Sequence, residues 1–572
     1  MPYDMVHLNV LTHELADALN GGRIERVTMP ERDEVVLSVR NNAQNYNLLI
    51  SCAPSEPRVH LTRQKKENPL NAFAFCMLLR KYLEKSTVES ITLLNGDRLI
   101  AFRFRSKNEL FDDASYTLIL ELMSRCSNLF LIDTEYKILG AAKQGFLNDN
   151  AERTLLTGAR YTFPKNEKIR ICDLDGVRGL LKNQTVGALD NCLYAELSGL
   201  SRESARELLY RADIVKTEFP LTDDELSRLI AALKDFLDLS SQKKPCVSIK
   251  NGKKTDFYVI EYSIKGFNPE YFDTLNAAAD EIFTRKDFDA ALNAKAKSLK
   301  DVLKKVVVRT QKKIADNLDS LSRAQNAEVL KRSGNLILNY IYTLKKNQSE
   351  LTAIDYETDE IMTVALDINL SPSENSAAYF KKYAKLTRTE ESARKNLAQN
   401  ETYLDYLLSI DRSISLGEDL NTLNGIETEM TEIGLIRKKQ EKSVKNNKNK
   451  KPKEKPVKLY ECTLDGFKIY AGRNNVENDY ATFSVAKNSD VWLHTKSYHG
   501  SHVIIACEGR AVPTEVLTLA ASVAAYYSEA RGGTKVAVDY TEKRNVKKIP
   551  AAGKGMVTYS DFKTLLVDPL KK

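Results

Sequence analysis

The sequence predicts an α+β protein of several domains, on three observations. Its 572 residues suffice for three or four domains of about 150 residues each. Its composition, with 42% apolar and 28% charged residues, is typical of a folded protein. Segments with the strand period and segments with the helix period occupy different parts of the chain. The predicted parts are a mixed α/β N-terminal domain (1–170), a helix-hairpin-helix module with following strands (171–275), a long antiparallel coiled-coil arm (276–440) with a tip module at about 333–370, a Lys-rich linker (441–458) and a compact α/β C-terminal domain (459–572).

The N-terminal domain combines a helix with a β-hairpin. Asn71 to Leu83 is apolar at helical spacing, which predicts a buried helix. Asn95-Gly96 separates two apolar runs, and a two-residue hairpin turn favours these residues because both positions need positive φ. The strands that we predict here are 91–94, 99–104, 116–123 and 128–133.

A turn glycine and a helix N-cap follow within Leu197 to Ala205. Gly199 and then Ser201 resemble a helix-hairpin-helix, whose turn amides can face a phosphate. A capped helix–turn–helix without a ligand has the same pattern, so both interpretations stay open. Two strands are predicted after it, at 246–249 and 257–264.

Heptad repeats indicate a coiled coil between residues 280 and 440. One run extends from Leu299 to Leu321 and another from Tyr379 to Leu407, with a polar and β-branched stretch between them. About fifty helical residues would span roughly 75 Å. An antiparallel hairpin within the chain accounts for both runs, and a dimer interface is the alternative.

The net charge of +8 favours a polyanionic partner, and its location is more informative than its size. Residues 437–458 contain eleven Lys/Arg and two Glu, a net charge of +9, so the rest of the chain sums to about −1. A tract this basic cannot pack, which predicts a solvated linker. The linker either only keeps the chain soluble or contacts phosphates without sequence preference.

The C-terminal domain has strand signals around one amphipathic helix. The helix is predicted from Thr514 to Ala530, because apolar residues recur there on one face. The predicted strands are 468–471, 502–507, 535–540 and 556–559, and we expect a polar loop before the second of them.

Several enzyme classes are excluded because the sequence lacks their motifs. The chain has no G-x-x-x-x-G-K-[ST], no H-E-x-x-H and no G-x-S-x-G, so we expect no catalytic residue. The eight cysteines include no C-x-x-C pair, and we expect no metal and no cofactor. The sequence has no apolar run of about 20 residues and no secretory signal, so a cytoplasmic location away from membranes is expected.

The polar loop before the second C-terminal strand is the first candidate site. Trp could stack on a base, Lys and His could donate to phosphate, and glycine would allow a close approach. Two other interpretations stay open: three histidines, His494, His499 and His502, could hold zinc, and Trp492 could belong to the core. The candidate residues in the loop are Asp490, Trp492, His494, Lys496, Gly500, Ser501 and His502.

The second candidate site lies after the N-terminal hairpin turn. Asp97 can accept from base or ribose donors, and Arg98 can grip phosphate or a base edge; the alternative is a surface ion pair. Glu121 ends an apolar strand, and either pairs with Arg125 or offers a free acceptor.

These pieces resemble the NFACT (NEMF-related) family of ribosome quality-control proteins, of the bacterial RqcH type, over essentially the whole chain. Each motif is weak alone, but together they occur in the family's order. The motifs are Met1-Pro2-Tyr3-Asp4, Asp97-Arg98, Glu121-Leu122-Met123 with Arg125-Cys126-Ser127-Asn128, Gly158-x-x-Tyr161-x-x-Pro164, Asn375 to Tyr383, Gly472-Arg473-Asn474-Asn475, Asn478-Asp479, Asp490-Val491-Trp492-Leu493-His494, Gly500-Ser501-His502-Val503, Val538-Asp539-Tyr540 and Val546-Lys547-Lys548.

The resemblance implies a tRNA- and ribosome-binding factor rather than an enzyme. Family members bind large ribosomal subunits still obstructed by peptidyl-tRNA, recruit charged tRNA (alanyl-tRNA in bacteria) and support mRNA-independent tailing of the stalled chain for degradation. The arm would reach the stalk base of the subunit, and the C-terminal domain would contact RNA near the tRNA. The residues implied for tRNA are Asp97, Arg98, Glu121, Leu122, Met123 and Arg125; those for RNA in the C-terminal domain add Arg473 and Asn474 to the loop residues above.

Two departures and three alternatives accompany the resemblance. Leu122 stands where some relatives carry another aliphatic residue, and Tyr498-His499 stands where relatives often have a proline. The Pro2 start with a hairpin-helix module is similar to DNA glycosylase/AP-lyase enzymes, although no DNA partner is expected without their zinc finger. A fibronectin-binding surface adhesin is a label that the family has carried, and a plain coiled-coil scaffold is the third alternative.

Overall fold

The computed structural model describes residues 3–94, 98–107, 112–144, 153, 155–241, 244–250, 252–266, 268–345, 347–437, 457–550 and 553–570. The chain forms two compact units, Met1–Phe288 and Asp289–Lys572. No helix among these residues is both long enough and apolar enough to cross a bilayer. The mixed α and β architecture confirms the predicted fold class.

The first unit contains a nine-stranded antiparallel sheet of order β4-β3-β2-β1-β5-β6-β7-β8-β9. Its helices are α1 (Met5–Leu19) and α2 (Ala74–Leu83). The strands are β1 (Arg23–Glu31), β2 (Glu34–Asn41), β3 (Gln44–Ser51), β4 (Arg58–Leu61), β5 (Thr87–Leu94), β6 (Leu99–Lys107), β7 (Asp113–Glu121), β8 (Asn128–Ile132) and β9 (Ile138–Ala141).

The two faces of this sheet differ because side chains alternate along each strand. Both helices contribute to the core on one face, together with Ile100, Phe102 and Phe104 of β6. A smaller apolar cluster, which includes Ile119 and Tyr161, covers the other face only near β7, β8 and β9. The predicted hairpin is β5–β6, although its turn residues Asn95 and Gly96 lie outside the described residues.

Four helices and two small sheets complete the first unit. The helices are α3 (Leu174–Asn183), α4 (Leu189–Glu196), α5 (Arg202–Arg211) and α6 (Asp223–Ser241). The strands are β10 (Ile169–Arg170), β11 (Leu197–Ser198), β12 (Cys246–Lys250), β13 (Lys253–Tyr258) and β14 (Asn268–Tyr271).

The predicted strand 257–264 is wrong beyond Tyr258. The amides of Ser263 and Ile264 donate to the buried Glu207 carboxylate, at 3.0 and 3.1 Å. A side chain therefore satisfies backbone groups that a neighbouring strand would otherwise satisfy, and residues 263–265 form a 3₁₀ turn.

The helix-hairpin-helix turn bonds within the protein. Ser201 caps α5 as predicted. The Ser201 amide donates to the Asp4 carboxylate at 3.3 Å, and the buried Ser204 hydroxyl donates to the same group. Asp4 thus occupies the position that a phosphate would take at this helix start.

The second unit pairs two long helices. The elements are α7 (Leu275–Ala324), α8 (Ala327–Asn339), β15 (Glu350–Asp355), β16 (Glu360–Ala365), α9 (Pro372–Leu416) and α10 (Leu420–Glu432). Leu299 and Leu303 of α7 pack with Leu407 and Ile410 of α9, so the heptads pair within the chain. Between the two helices, α8 packs on the β15–β16 hairpin.

A six-stranded sheet of order β17-β18-β20-β19-β21-β24 completes the second unit. The predicted loop over residues 490–502 is wrong for Val491–Thr495, which is a central strand, and right for residues 496–502, which connect that strand to the next. The helix that was expected to reach Ala530 ends at Tyr526. The elements are β17 (Tyr460–Leu464), β18 (Phe467–Ala471), α11 (Asn475–Tyr480), β19 (Val491–Thr495), β20 (Val503–Ala506), α12 (Thr514–Tyr526), β21 (Val536–Glu542), β22 (Val546–Lys548), β23 (Val557–Tyr559) and β24 (Lys563–Val567).

Candidate nucleic-acid interface

The start of β6 and the end of β7 bring the N-terminal candidates together. Leu99 pairs with Glu121, and the Leu122 amide donates to the Arg98 carbonyl at 2.9 Å. Arg98 therefore lies next to Leu122, where β6 begins and β7 ends. This end of the two strands is called the sheet edge below. Asp97 lies outside the described residues.

Glu121 is a buried ion-pair partner and not a free acceptor. Only 1% of its surface is exposed. Its carboxylate accepts from Arg153 Nη2 and from the Tyr161 hydroxyl, each at 2.7 Å. The expected pairing with Arg125 is wrong, because Arg125 is exposed in the next turn while Arg153 reaches Glu121 from a distant segment. Burial and the adjacent carboxylate raise the pKa of Tyr161, so its hydroxyl remains a donor.

The buried ion pair fixes a short turn that displays other side chains. Residues Ser124–Cys126 form a 3₁₀ turn, and Ser124 has a positive φ of 52°. Leu122 is buried and Met123 is half-buried, whereas Arg125 is exposed. At this edge Arg125 is thus exposed, while Arg98 and Met123 are half-buried.

The aromatic cluster of the C-terminal domain lies inside the module. Trp492 is 0% exposed, so it cannot stack on a base. The rings of His494 and His502 lie 5.7 and 5.1 Å from it, and Thr482 Oγ1 is 2.8 Å from His502 Nδ1. Burial lowers the pKa of His494 to about 4 and that of His502 well below its usual value, so neither carries charge at neutral pH.

Other predicted RNA contacts in this domain hold the module together. Asp490 accepts from the Lys487 and Cys507 amides at 2.7 and 2.9 Å. Arg473 pairs with Asp419 at 2.7 Å and with Glu477 at 3.1 Å. Asn474 caps α11. Of the nine residues of this domain that the sequence proposed as RNA contacts, only Lys496 is exposed to solvent.

The two most specific C-terminal motifs meet through hydrogen bonds. The Asn478 side chain accepts from the His502 amide at 3.0 Å and donates to the Gly500 carbonyl at 3.2 Å. A Cβ on Gly500 would lie 2.7 Å from Thr495 Oγ1, so only glycine fits there. The Ser501 amide donates to Tyr527. A cavity of about 60 Å³ lies at this junction, and it is too small for a nucleotide.

One basic surface of this domain was missed in the sequence. The ammonium groups of Lys543 and Lys548 lie 5.7 and 5.6 Å from the Phe483 ring. Lys548 is exposed and also pairs with Asp479 at 2.8 Å, whereas Lys543 and Phe483 are half-buried. An aromatic ring between two cations can receive a base while the cations hold phosphate. The only sequence signal was the Lys547-Lys548 pair within a family motif.

One group of polar side chains in the first unit resembles the composition of a catalytic triad but not its arrangement. Asp4, His7 and Ser204 lie together, but His7 and Ser204 both bond Asp4, so His7 does not activate Ser204. Among the residues that the structure describes, no three His, Cys, Asp or Glu side chains could hold a metal ion. Pro2, on which the glycosylase alternative depended, lies outside those residues.

Comparison with known families identifies the class of protein. The family described as NFACT N-terminal and middle domains matches residues 4–450, and the NFACT protein RNA binding domain matches residues 457–560. The chain belongs to the NFACT family. This membership supports a role in ribosome quality control as an RNA-binding factor.

Within the family, the chain is similar to bacterial proteins named Rqc2 homolog RqcH. It is 34% identical to the Bacillus subtilis protein over 586 aligned residues, with 100% of this chain and 98% of the relative covered. It is 31% identical to the Streptococcus suis protein, with the same coverage. A solved structure, the N-terminal part of the fibronectin/fibrinogen-binding protein from Streptococcus suis, is 29% identical, covers 50% of this chain and 99% of its own, and has a TM-score of 0.43.

Proposed function

We propose that the protein binds large ribosomal subunits obstructed by peptidyl-tRNA, recruits charged tRNA and directs mRNA-independent tailing of the stalled chain, which marks that chain for degradation. Alanyl-tRNA is the expected tRNA, and the cytoplasm is the expected location. The observation that carries the proposal is the sheet edge at which a backbone hydrogen bond holds Arg98 beside Leu122. The similarity to RqcH proteins over the full chain supports it.

The proposed mechanism depends on position and not on a catalytic residue of this chain. Peptide bond formation is the chemistry of the ribosomal subunit itself. Holding an acceptor tRNA at the subunit without mRNA converts a bimolecular encounter into an oriented one, which is a large rate advantage.

Residues at the N-terminal sheet edge divide into two roles. Arg98, Met123 and Arg125 would contact tRNA, because their side chains reach the surface. Glu121 and Leu122 would position them, because both are buried. Asp97 precedes Arg98 directly and is proposed as a contact from the sequence alone.

Two surfaces of the second unit are proposed to contact the ribosome. At the tip of the paired helices, Ile354 and Ile361 face each other across the β15–β16 hairpin and are exposed, as is Tyr356. This apolar surface would contact the stalk base. The surface of Phe483, Lys543 and Lys548 would contact rRNA in place of the buried motif residues.

A reconstituted tailing reaction tests the proposed function. Purified large subunits that carry peptidyl-tRNA are mixed with alanyl-tRNA and the full chain, and lengthening of the nascent peptide is measured. The double variant Asp97→Ala/Arg98→Ala is expected to lose tailing while its circular dichroism spectrum stays unchanged. Arg63→Ala, an exposed arginine elsewhere in the first unit, is the control and should keep tailing. Tailing by the double variant at the unaltered rate would contradict the proposed role of this edge.

A further inference from the structure

The open face of the nine-stranded sheet carries a cluster of arginines that the sequence reading did not single out. The core with α1 and α2 occupies the opposite face. On the open face, the apolar cover near β7, β8 and β9 reaches the start of β6, where Leu99 and Ala101 are buried, and leaves the rest of β6 uncovered together with β1, β2 and β5. Five arginines of these four strands are exposed: Arg23, Arg26, Arg40, Arg103 and Arg105.

The strand register places three of them in one row. Arg40 pairs with Arg23, Arg23 pairs with Thr87, and Thr87 pairs with Arg105. Residues that pair directly across antiparallel strands point to the same face. With strands about 4.8 Å apart, the row spans roughly 14 Å.

Hydroxyl side chains flank the cations. Arg103 pairs with Ser90 and Thr117, and Arg105 pairs with Ser115. Arg26 pairs with Ser38 on β2. The open face therefore presents guanidinium and hydroxyl donors on five neighbouring strands.

The arginines keep their donors available. Within the part of the chain that the structure describes, none of the five forms an ion pair or a side-chain hydrogen bond, although Glu25, Glu31 and Glu89 belong to the same strands. Like charges placed side by side repel each other, and nothing in the fold requires three arginines in one row. An arrangement of this kind is typical of a surface that binds a polyanion.

We propose that this arginine face binds the phosphate backbone of helical RNA. Guanidinium groups form bidentate bonds to phosphate, and Ser and Thr hydroxyls donate to phosphate and ribose. The open-face positions of β1, β2, β5 and β6 carry no aromatic side chain on which an unpaired base could stack, which favours recognition of a helix by its backbone.

The arginine face lies on the same side of the sheet as the proposed tRNA edge, and the buried pair of Ala101 and Ile119 lies between them. Arg103 and Arg105 are four and six residues beyond Leu99 along β6, on the face to which Leu99 and its partner Glu121 also belong. An RNA whose loop lies against Arg98 and Met123 would therefore have its stem over the arginines. The inference rests on the proposed function and identifies the surface that holds the body of the tRNA.

The test measures RNA binding by the full chain as a function of salt. Deacylated tRNA is titrated in one series and purified large subunits in another. In the variant R23Q/R40Q/R105Q, tRNA affinity should fall about tenfold or more, and the slope of log K against log salt should decrease by about 2 to 3. The control R32Q/R63Q/R178Q makes the same charge change at three exposed arginines of the first unit outside the row, and should bind like the wild type.

The variant R23K/R40K/R105K keeps the three positive charges. Its comparison with R23Q/R40Q/R105Q shows whether weaker binding comes from the lost charge or from damage to the fold. It should retain most of the salt slope. If the wild type binds tRNA and R23Q/R40Q/R105Q binds it equally well with an equal slope, the arginine face is not the contact, while the proposed function stands. If loss occurs for large subunits and not for tRNA, the face binds rRNA and its assignment to tRNA is wrong. If the wild type binds neither RNA, the proposed function itself fails.

Discussion

Glu121, a residue implied in tRNA binding by family resemblance, acts in the structure through the groups that it holds. Arg153 and Tyr161 bond its carboxylate, and the following turn presents Met123 and Arg125. We expect Arg153→Met to lower the stability of the first unit by about 3 kcal/mol, because it leaves Glu121 charged and buried with only Tyr161. Urea denaturation followed by circular dichroism measures this change.

Arg125→Met is the matched control for that prediction. Arg125 is exposed and does not pair with Glu121, so its loss should change stability by less than about 0.5 kcal/mol. A larger loss of stability for Arg125→Met than for Arg153→Met would contradict the pairing of Glu121 with Arg153.

Trp492, the single tryptophan of the chain, reports directly on its own burial. Because the indole is 0% exposed, its emission should be blue-shifted and poorly quenched by acrylamide. Adding tRNA should leave this emission nearly unchanged. Strong quenching by RNA, with acrylamide accessibility near that of free tryptophan, would mean that Trp492 stacks on a base after all.

At the residue scale, the sequence located clusters of polar residues, but it did not give their hydrogen-bond partners. Local spacing suggested Arg125 for Glu121, but the true partner, Arg153, is 32 positions away and is brought close only by the tertiary fold. Polar motifs such as Asp490 and Gly500 have the same appearance whether they serve a ligand or the packing of a module. Burial distinguishes the two, and burial of polar residues cannot be read from a single sequence.

At the scale of elements, a buried carboxyl lies where α9, α10 and α11 meet. The Glu429 Oε1 atom accepts from the Tyr406 hydroxyl at 2.6 Å and from Asn475 at 3.1 Å, while Oε2 has no partner among the described residues. Burial raises the pKa of Glu429 to about 7, against hydrogen bonds from Tyr406 and Asn475 that lower it. Lys554 and Glu432, which pair with each other, act on the same pKa in opposite directions: Lys554 lowers it and Glu432 raises it.

The raised pKa predicts a pH-dependent junction. In the folded chain Glu429 keeps its proton up to about pH 7, whereas in the unfolded chain its pKa is 4.5. The stabilisation that the protonated Glu429 contributes is therefore complete below pH 4.5 and is lost as the pH rises through 7. The stability difference between wild type and Glu429→Gln should change by on the order of 3 kcal/mol across this window. Urea denaturation monitored by Trp492 fluorescence measures it. A difference independent of pH would contradict the raised pKa.

Elements whose apolar residues recur with a clear helix or strand period were predictable from the sequence. Elements that depend on tertiary packing were not. The helix α12, the β5–β6 pair and the two long helices follow from apolar spacing and turn chemistry. Strand β19 was taken for a loop because its polar residues, His494 among them, face other polar groups inside the module. The strands β1 to β4 were not individually predicted, since no sharp turn signal marks them.

At the scale of the molecule, the long helices bury the centre of their apolar seam within one chain, while Leu318 of α7 stays 51% exposed. Leu303 and Leu407 are buried against each other's helices. We therefore expect a monomer of 64.6 kDa in sedimentation equilibrium without RNA. A particle of twice that mass, dissociated by a polar substitution at Leu303, would favour the dimeric coiled coil instead.

The central claim is that this chain acts by placing tRNA on a large ribosomal subunit. Sequencing the RNA that copurifies with the full-length protein from cells at low salt tests it most directly. The account predicts strong enrichment of large-subunit rRNA together with tRNA, dominated by alanine isoacceptors, and loss of the tRNA in Asp97→Ala/Arg98→Ala. RNA that matches the composition of the total lysate, with neither class enriched, would contradict the account.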